Sequence, residues 1–160
     1  MITQEKALEL FEYKDGNLYW KKQVNNRAKI GQIAGAENLR GCRIIGFEGK
    51  HYLMHRLIFL MHHGYFPQKI DHIDCNPKNS KIENLREANH AENSYNAKLR
   101  KDNTSGCKGV IWHKTTKKWM VKVKANKKVV YLSYFKDLEL ADLVAQEARD
   151  KYHKEFARHV

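Results

Sequence analysis

The stretch K-L-R-K-D-N-T-S-G at residues 98–106 most constrains how this chain folds: it crowds basic charge, Asn, Ser and Gly together with no apolar periodicity, and so reads as a linker. Cutting a 160-residue chain there leaves residues 1–97 and 107–160. Both pieces are large enough for a core of their own, since domains run from about 50 residues upward. The patterns on the two sides differ. Before the linker, Thr3 can cap a short helix with Ala7, Leu8 and Phe11 at helical spacing, ending ahead of the Asp15-Gly16 turn. Asn17–Lys21 reads as a strand, and glycines at 31, 35, 41, 46 and 49 punctuate a region with short strands at Arg43–Phe47 and His51–Leu53. A helix is predicted over Met54–His63, with Leu57, Ile58 and Met61 on one face and Gly64 to stop it. After the linker, Gly109–Trp112, Lys118–Lys124 and Lys128–Tyr134 read as three strands. Asp137 can cap a helix carrying Ala141, Val144, Ala148, Tyr152 and Phe156 in one stripe. The expected class is α+β, ending in a three-stranded antiparallel sheet covered by one helix.

Charge divides along the same line. The chain carries a formal net charge of +12, of which residues 98–160 supply 16 basic and 7 acidic side chains. A surplus of that size fits a polyanionic partner, and its position makes the C-terminal segment the docking surface. Cys42, Cys75 and Cys107 are odd in number and form no C-x-x-C pair, so neither a disulfide framework nor a zinc finger is expected. Reduced thiols, no apolar run near the ~20 residues of a membrane span and no signal-like N-terminus predict a soluble, cytoplasmic protein.

The chemistry lies in Ile70–Asn96, where a short strand, a turn and a helix gather an acid, a histidine and several amides. Hydrolysing a phosphodiester needs an activated water and a counter-charge for the leaving oxygen. His72 can accept the proton, because an imidazole with unperturbed pKa near 6.5 is substantially neutral at working pH. Asp71 and Asn93 offer a carboxylate and an amide carbonyl, a sparse oxygen shell that suits Mg²⁺. An Asp-His pair before a turn can equally be a loop hydrogen bond. Asp74 reads as a turn residue, Asn76, Asn79 and Asn89 as turn or cap residues, and His62, His63 and His90 as surface residues. His55 and Arg56 either face a phosphate or fix their helix against the core.

Four ordered pieces, M-H-R-L-I at Met54–Ile58, D-H-I-D at Asp71–Asp74, I-E-N-L-R at Ile82–Arg86 and E-N-S-Y-N at Glu92–Asn96, resemble the His-Asn-His (HNH) endonucleases of the phage and group I intron homing type. The resemblance implies a ββα-metal nuclease core in residues 1–97 that hydrolyses DNA. It makes His72 the general base, Asp71 and Asn93 the metal ligands, and Asn84 a residue that ties the ββα loop together. Asn93 stands where other branches carry His, which favours Mg²⁺, with Mn²⁺ as substitute, over a zinc-like site.

In Lys118–Lys124, alternation places Trp119, Val121 and Val123 on one face and Lys118, Met120, Lys122 and Lys124 on the other. Residues 98–134 hold 11 basic side chains against the single acid Asp102. Lys118, Lys122 and Lys124, with Arg56, are therefore the candidate contacts to double-stranded DNA. Residues 105–160 also resemble the plant ethylene-response-factor (APETALA2-like) DNA-binding domain, through K-G-V at Lys108–Val110, K-W-M-V-K-V at Lys118–Val123 and Y-F-K-D-L-E-L-A at Tyr134–Ala141. Family members carry Arg shortly after the G-V step, where this chain has Ile111 and Trp112, so no base-reading residue is transferred. One D-H step and no internal repeat mean one active site per chain, and no heptad advertises a dimer. The expectation is a monomeric nicking enzyme of phage origin with no small-molecule cofactor. A non-catalytic DNA-binding regulator is the alternative, and an RNA-binding accessory protein is the weakest reading.

Overall fold

The computed structural model describes residues 1–159. The chain forms two compact units, Met1–Ala88 and Asn89–Val160.

In the first unit, α1 spans Gln4–Leu10 and starts at Thr3, whose hydroxyl accepts from the Lys6 N–H at 3.3 Å. The helix is shorter than its apolar spacing predicts. Phe11 opens strand β1 (Phe11–Lys14), which pairs antiparallel with β2 (Asn17–Trp20). Asp15 and Gly16 both take positive φ, 48° and 78°, the geometry of a two-residue hairpin that matches strand twist. Phe11 lies opposite Trp20, their rings 4.7 Å apart and both buried, so cross-strand packing overrides helical periodicity here. Leu8, read as a core residue, is exposed. A three-stranded antiparallel sheet follows in the order β3 (Ala36–Glu37), β4 (Arg43–Phe47), β5 (Lys50–Leu53). β5 runs directly into α2 (Met54–His63), which Gly64 closes in a left-handed cap, its N–H bonded to the Leu60 carbonyl. Leu10, Phe11, Leu18, Ile45, Leu57 and Ile58 form the centre of this core. Against it lie β6 (Lys69–His72) and β7 (Leu85–Ala88), an antiparallel pair that buries Ile70 and Leu85.

In the second unit, α3 (His90–Tyr95) is capped by Asn89 and Glu92 in a reciprocal capping box. Strands β8 (Val110–His113), β9 (Lys118–Ala125) and β10 (Lys128–Phe135) form an antiparallel sheet with β9 in the centre. Helix α4 (Leu138–His153) begins at Asp137, whose carboxylate accepts from the Leu140 N–H at 2.7 Å. Ala141, Ala145 and Ala148 line the buried side of α4 and meet Val110, Val121 and Val123. Small residues let the helix backbone approach the sheet closely, which explains why Ala145 lies deeper than the Val144 of the expected stripe. Among the described residues no helix is long and apolar enough to cross a membrane.

Candidate active site

Strand pairing sets the geometry of the first unit's functional segment. The β6–β7 register places Asp71 opposite Arg86 and His72 opposite Leu85, with a 3-10 turn at Ile82–Asn84 leading into β7. The connecting loop is locked by side chains. Asn84 accepts the Asp74 N–H on its Oδ1 at 3.1 Å, and its amide nitrogen donates to Asp74 Oδ1 at 3.0 Å and to the Asn79 carbonyl at 2.8 Å. Its own carbonyl accepts the Ile73 N–H at 3.0 Å. Asp74 in turn accepts from the Asn76 N–H at 2.8 Å and from the Asn79 amide at 2.7 Å. Burial raises the Asp74 carboxyl's pKa, but bonds from Asn79, Asn76 and Asn84 outweigh that and hold it below its ordinary value. Asp74 is thus an internal strut of the loop. The β1–β2 hairpin braces the same loop from outside: Tyr13 OH accepts the Ile82 N–H at 3.1 Å, and a side chain at Gly16 would strike the Lys81 nitrogen at 2.7 Å.

His72 ends β6 beside this loop, half-buried. Burial pushes its pKa down, partly opposed by the carboxylates of Asp74 and Asp71, so the neutral, proton-accepting imidazole is favoured. The ring of His55, from the first turn of α2, meets it edge-to-face at 4.9 Å. His55 is only 9% exposed, and burial, with the neighbouring His72 and Arg56, lowers its pKa to about 4. Of the two sequence readings of His55, the structure places it against the core rather than toward solvent. Asp71 is buried, and Arg86 donates to its Oδ2 through Nε at 2.9 Å and Nη2 at 2.8 Å. Arg56 donates through Nη2 to the Pro67 carbonyl at 2.8 Å and lies over the Phe66 ring at 5.5 Å.

Asp71 and His72 therefore stand on one strand pair and Asn84 in the turn that leads into it, whereas Asn93 lies on α3 in the second unit. That helix is fastened within its own unit. Lys108 Nζ donates to the carbonyls of Tyr95 and Ala97 at 2.7 and 2.6 Å, and Tyr95 OH accepts the Asn126 N–H at 2.7 Å. The Tyr95 ring stacks on His153 at 3.9 Å with an interplanar angle of 2°. In the sheet, Val121 and Val123 face the core while Lys122 and Lys124 are exposed on the opposite face with the half-buried Lys118.

Among the described residues, no three His, Cys, Asp or Glu side chains gather as a metal cluster. The sequence-predicted donors, Asp71 and Asn93, are both hard oxygen groups. A carboxylate has about four lone-pair sites, so an ion pair to Arg86 does not exhaust it. Oxygen donors of this kind suit a hard cation that keeps most of its shell for water and phosphate.

Sequence reasoning missed Arg86 and Tyr95 as supports, whereas for His55 a core-fixing role was one of its two readings. Arg86 was visible within I-E-N-L-R, but only the strand register shows which residue it faces. Tyr95 gave no signal beyond being an aromatic residue inside a motif.

The HNH endonuclease family matches residues 52–95, from β5 through α3. Protein 3.8 of Escherichia phage T7 is 42% identical to the chain over 97 residues, which cover 59% of this chain and 75% of that protein. No solved structure matches. The chain therefore belongs in one family with that phage protein, and residues 52–95 of it are an HNH endonuclease domain.

Proposed function

We propose that this protein is a metal-dependent DNA endonuclease that nicks one strand of double-stranded DNA. The observation that carries the reading is His72: an imidazole kept neutral by burial, next to a buried carboxylate, on a strand end held by the Asn84 and Asp74 lock. In this reading His72 accepts the proton of the attacking water. Asp71 and Asn93 hold Mg²⁺, for which Mn²⁺ can substitute, and Asn84 keeps the loop in the geometry that presents His72. When bound, the cation supplies counter-charge for the phosphate and the leaving oxygen. Lys118, Lys122 and Lys124 neutralise phosphates of the duplex, and the Arg56 donors beyond the one bonded to Pro67 offer a further phosphate contact. One D-H step gives one reacting centre, and one centre cuts one strand unless a second subunit or a rotation serves the other.

Supercoiled plasmid incubated with the protein and Mg²⁺, beside an EDTA control, tests this. Open circles appearing first are expected, with no cleavage in EDTA. Direct conversion to linear DNA would overturn nicking, and cleavage by a folded His72→Ala protein would remove His72 as the base. Binding without cleavage under every metal tried would leave the regulator reading standing.

A further inference from the structure

The outer face of the β8–β9–β10 sheet is not the lysine surface that β9 alone predicts. The antiparallel register lines Ile111, Met120 and Tyr134 across the three strands, one after another. On β9 this row sits between Lys118 and Lys122, and Leu132 lies opposite Lys122. Ile111 is 53% exposed, Leu132 52% and Tyr134 40%, so the apolar groups form a contiguous strip on the surface rather than scattered single residues. The Tyr134 ring meets His113 edge-to-face at 5.2 Å, which fixes its orientation on that face.

An apolar strip bordered by lysines has to be matched by a partner that is anionic at its rims and apolar at its centre. The major groove of duplex DNA offers this pattern: phosphates along both edges and, on its floor, the thymine C5-methyl as the one apolar group. Residues 98–134 carry 11 basic side chains to one acidic, which opposes a second copy of this chain on the same face. A single-strand platform would need several aromatic rings open for stacking, whereas this strip has only Tyr134, already packed on His113. We propose that this sheet face recognises thymine methyl groups in the major groove, with Ile111, Met120 and Tyr134 as the specificity-determining contacts. The proposal rests on the reading that Lys118, Lys122 and Lys124 dock the duplex, and adds which bases that docking prefers.

The test is fluorescence anisotropy of the full chain, in EDTA, with a labelled alternating A·T duplex and the same duplex in which deoxyuridine replaces every thymine. The two differ only in the methyl group. Removing it is expected to weaken binding by about fourfold or more, the equivalent of at least one buried methyl. The preference should shrink toward unity in Ile111→Ala and in Tyr134→Ala, exposed positions whose change spares the core. Equal affinity of the wild type for both duplexes overturns the proposal, as does a preference that both variants retain. Tighter binding of single-stranded thymidine oligomers than of the duplex, or a dimer in sedimentation that Ile111→Ala dissolves, overturns it in favour of another occupant. Lys122→Gln separates the layers of the argument. A lowered salt slope with no thymine preference sinks methyl recognition alone, whereas an unchanged salt slope sinks the docking reading and this proposal with it.

Discussion

Asn84 sits at the centre of the loop's hydrogen bonding, with its amide joined to Asp74 and Asn79 from a position 8% exposed. Alanine there removes hydrogen bonds to partners that water can reach in part, a cost of about 0.5–1.5 kcal/mol for each bond lost. Asn84→Ala is expected to lower the denaturant midpoint and to lose plasmid cleavage while duplex affinity stays near wild type. Retained cleavage at full rate in a destabilised variant would show that the lock serves folding only. His55 makes a pH-dependent contribution whose direction follows from its environment. In the unfolded chain it protonates near 6.5, while in the fold burial delays this to about 4. Between those values the unfolded state binds more protons, so stability is full above pH 6.5 and falls as pH drops toward 4, by about 3 kcal/mol over the window. Denaturant unfolding at pH 7, 5.5 and 4 measures this. His55→Phe, which keeps an aromatic edge against His72 without a titrating group, should flatten the dependence by roughly one proton, and an unchanged slope would contradict the assignment.

At the scale of elements, α3 is the exposed point of the design. A six-residue helix is far below the ~12–15 residues at which an isolated helix is even marginal, so it persists through its cap and its tertiary anchors. Tyr95 supplies two of those anchors, the stack on His153 and the bond from Asn126. Tyr95→Phe keeps the ring and loses one hydrogen bond, at about 1 kcal/mol. Tyr95→Ala loses both, and is expected to speed amide exchange across Glu92–Tyr95 and to shift the Mg²⁺ titration of cleavage to higher concentration, with little change in duplex affinity. Exchange rates in Tyr95→Ala equal to wild type would mean that Lys108 and the capping box suffice.

At the scale of the molecule, the placement of α3 in the second unit changes what counts as a module. A fragment of residues 89–160 retains Tyr95 against His153, whereas a fragment of 98–160 exposes the His153 ring. The longer fragment should therefore melt several degrees higher, and equal melting temperatures would argue against the anchoring. Both fragments carry the lysine face, and both should bind duplex DNA with log affinity falling about 0.9 per phosphate neutralised for each unit of log salt. Lys122→Gln in the full chain should reduce that slope by about one contact.

How much of this was legible beforehand follows from the range of the forces involved. Thr3 and Asp137 as caps, Gly64 as a stop, the three C-terminal strands and the alternation of β9 are all decided within a few residues, and the sequence by itself determined them. The ordered motifs between Met54 and Asn96 likewise carried the resemblance to a nuclease, and the HNH endonuclease family matches residues 52–95. Phe11 shows the limit: its helical spacing was real, but pairing with Trp20 decided its backbone. Arg86 on Asp71, His55 on His72 and Tyr95 on His153 could not be read locally, since each joins residues 15 to 58 positions apart whose meeting depends on register and packing. The outer sheet face is the clearest case. One strand's sequence shows only its own lysines, and the apolar strip that runs across them exists because antiparallel pairing brings Ile111, Leu132 and Tyr134 onto the same surface.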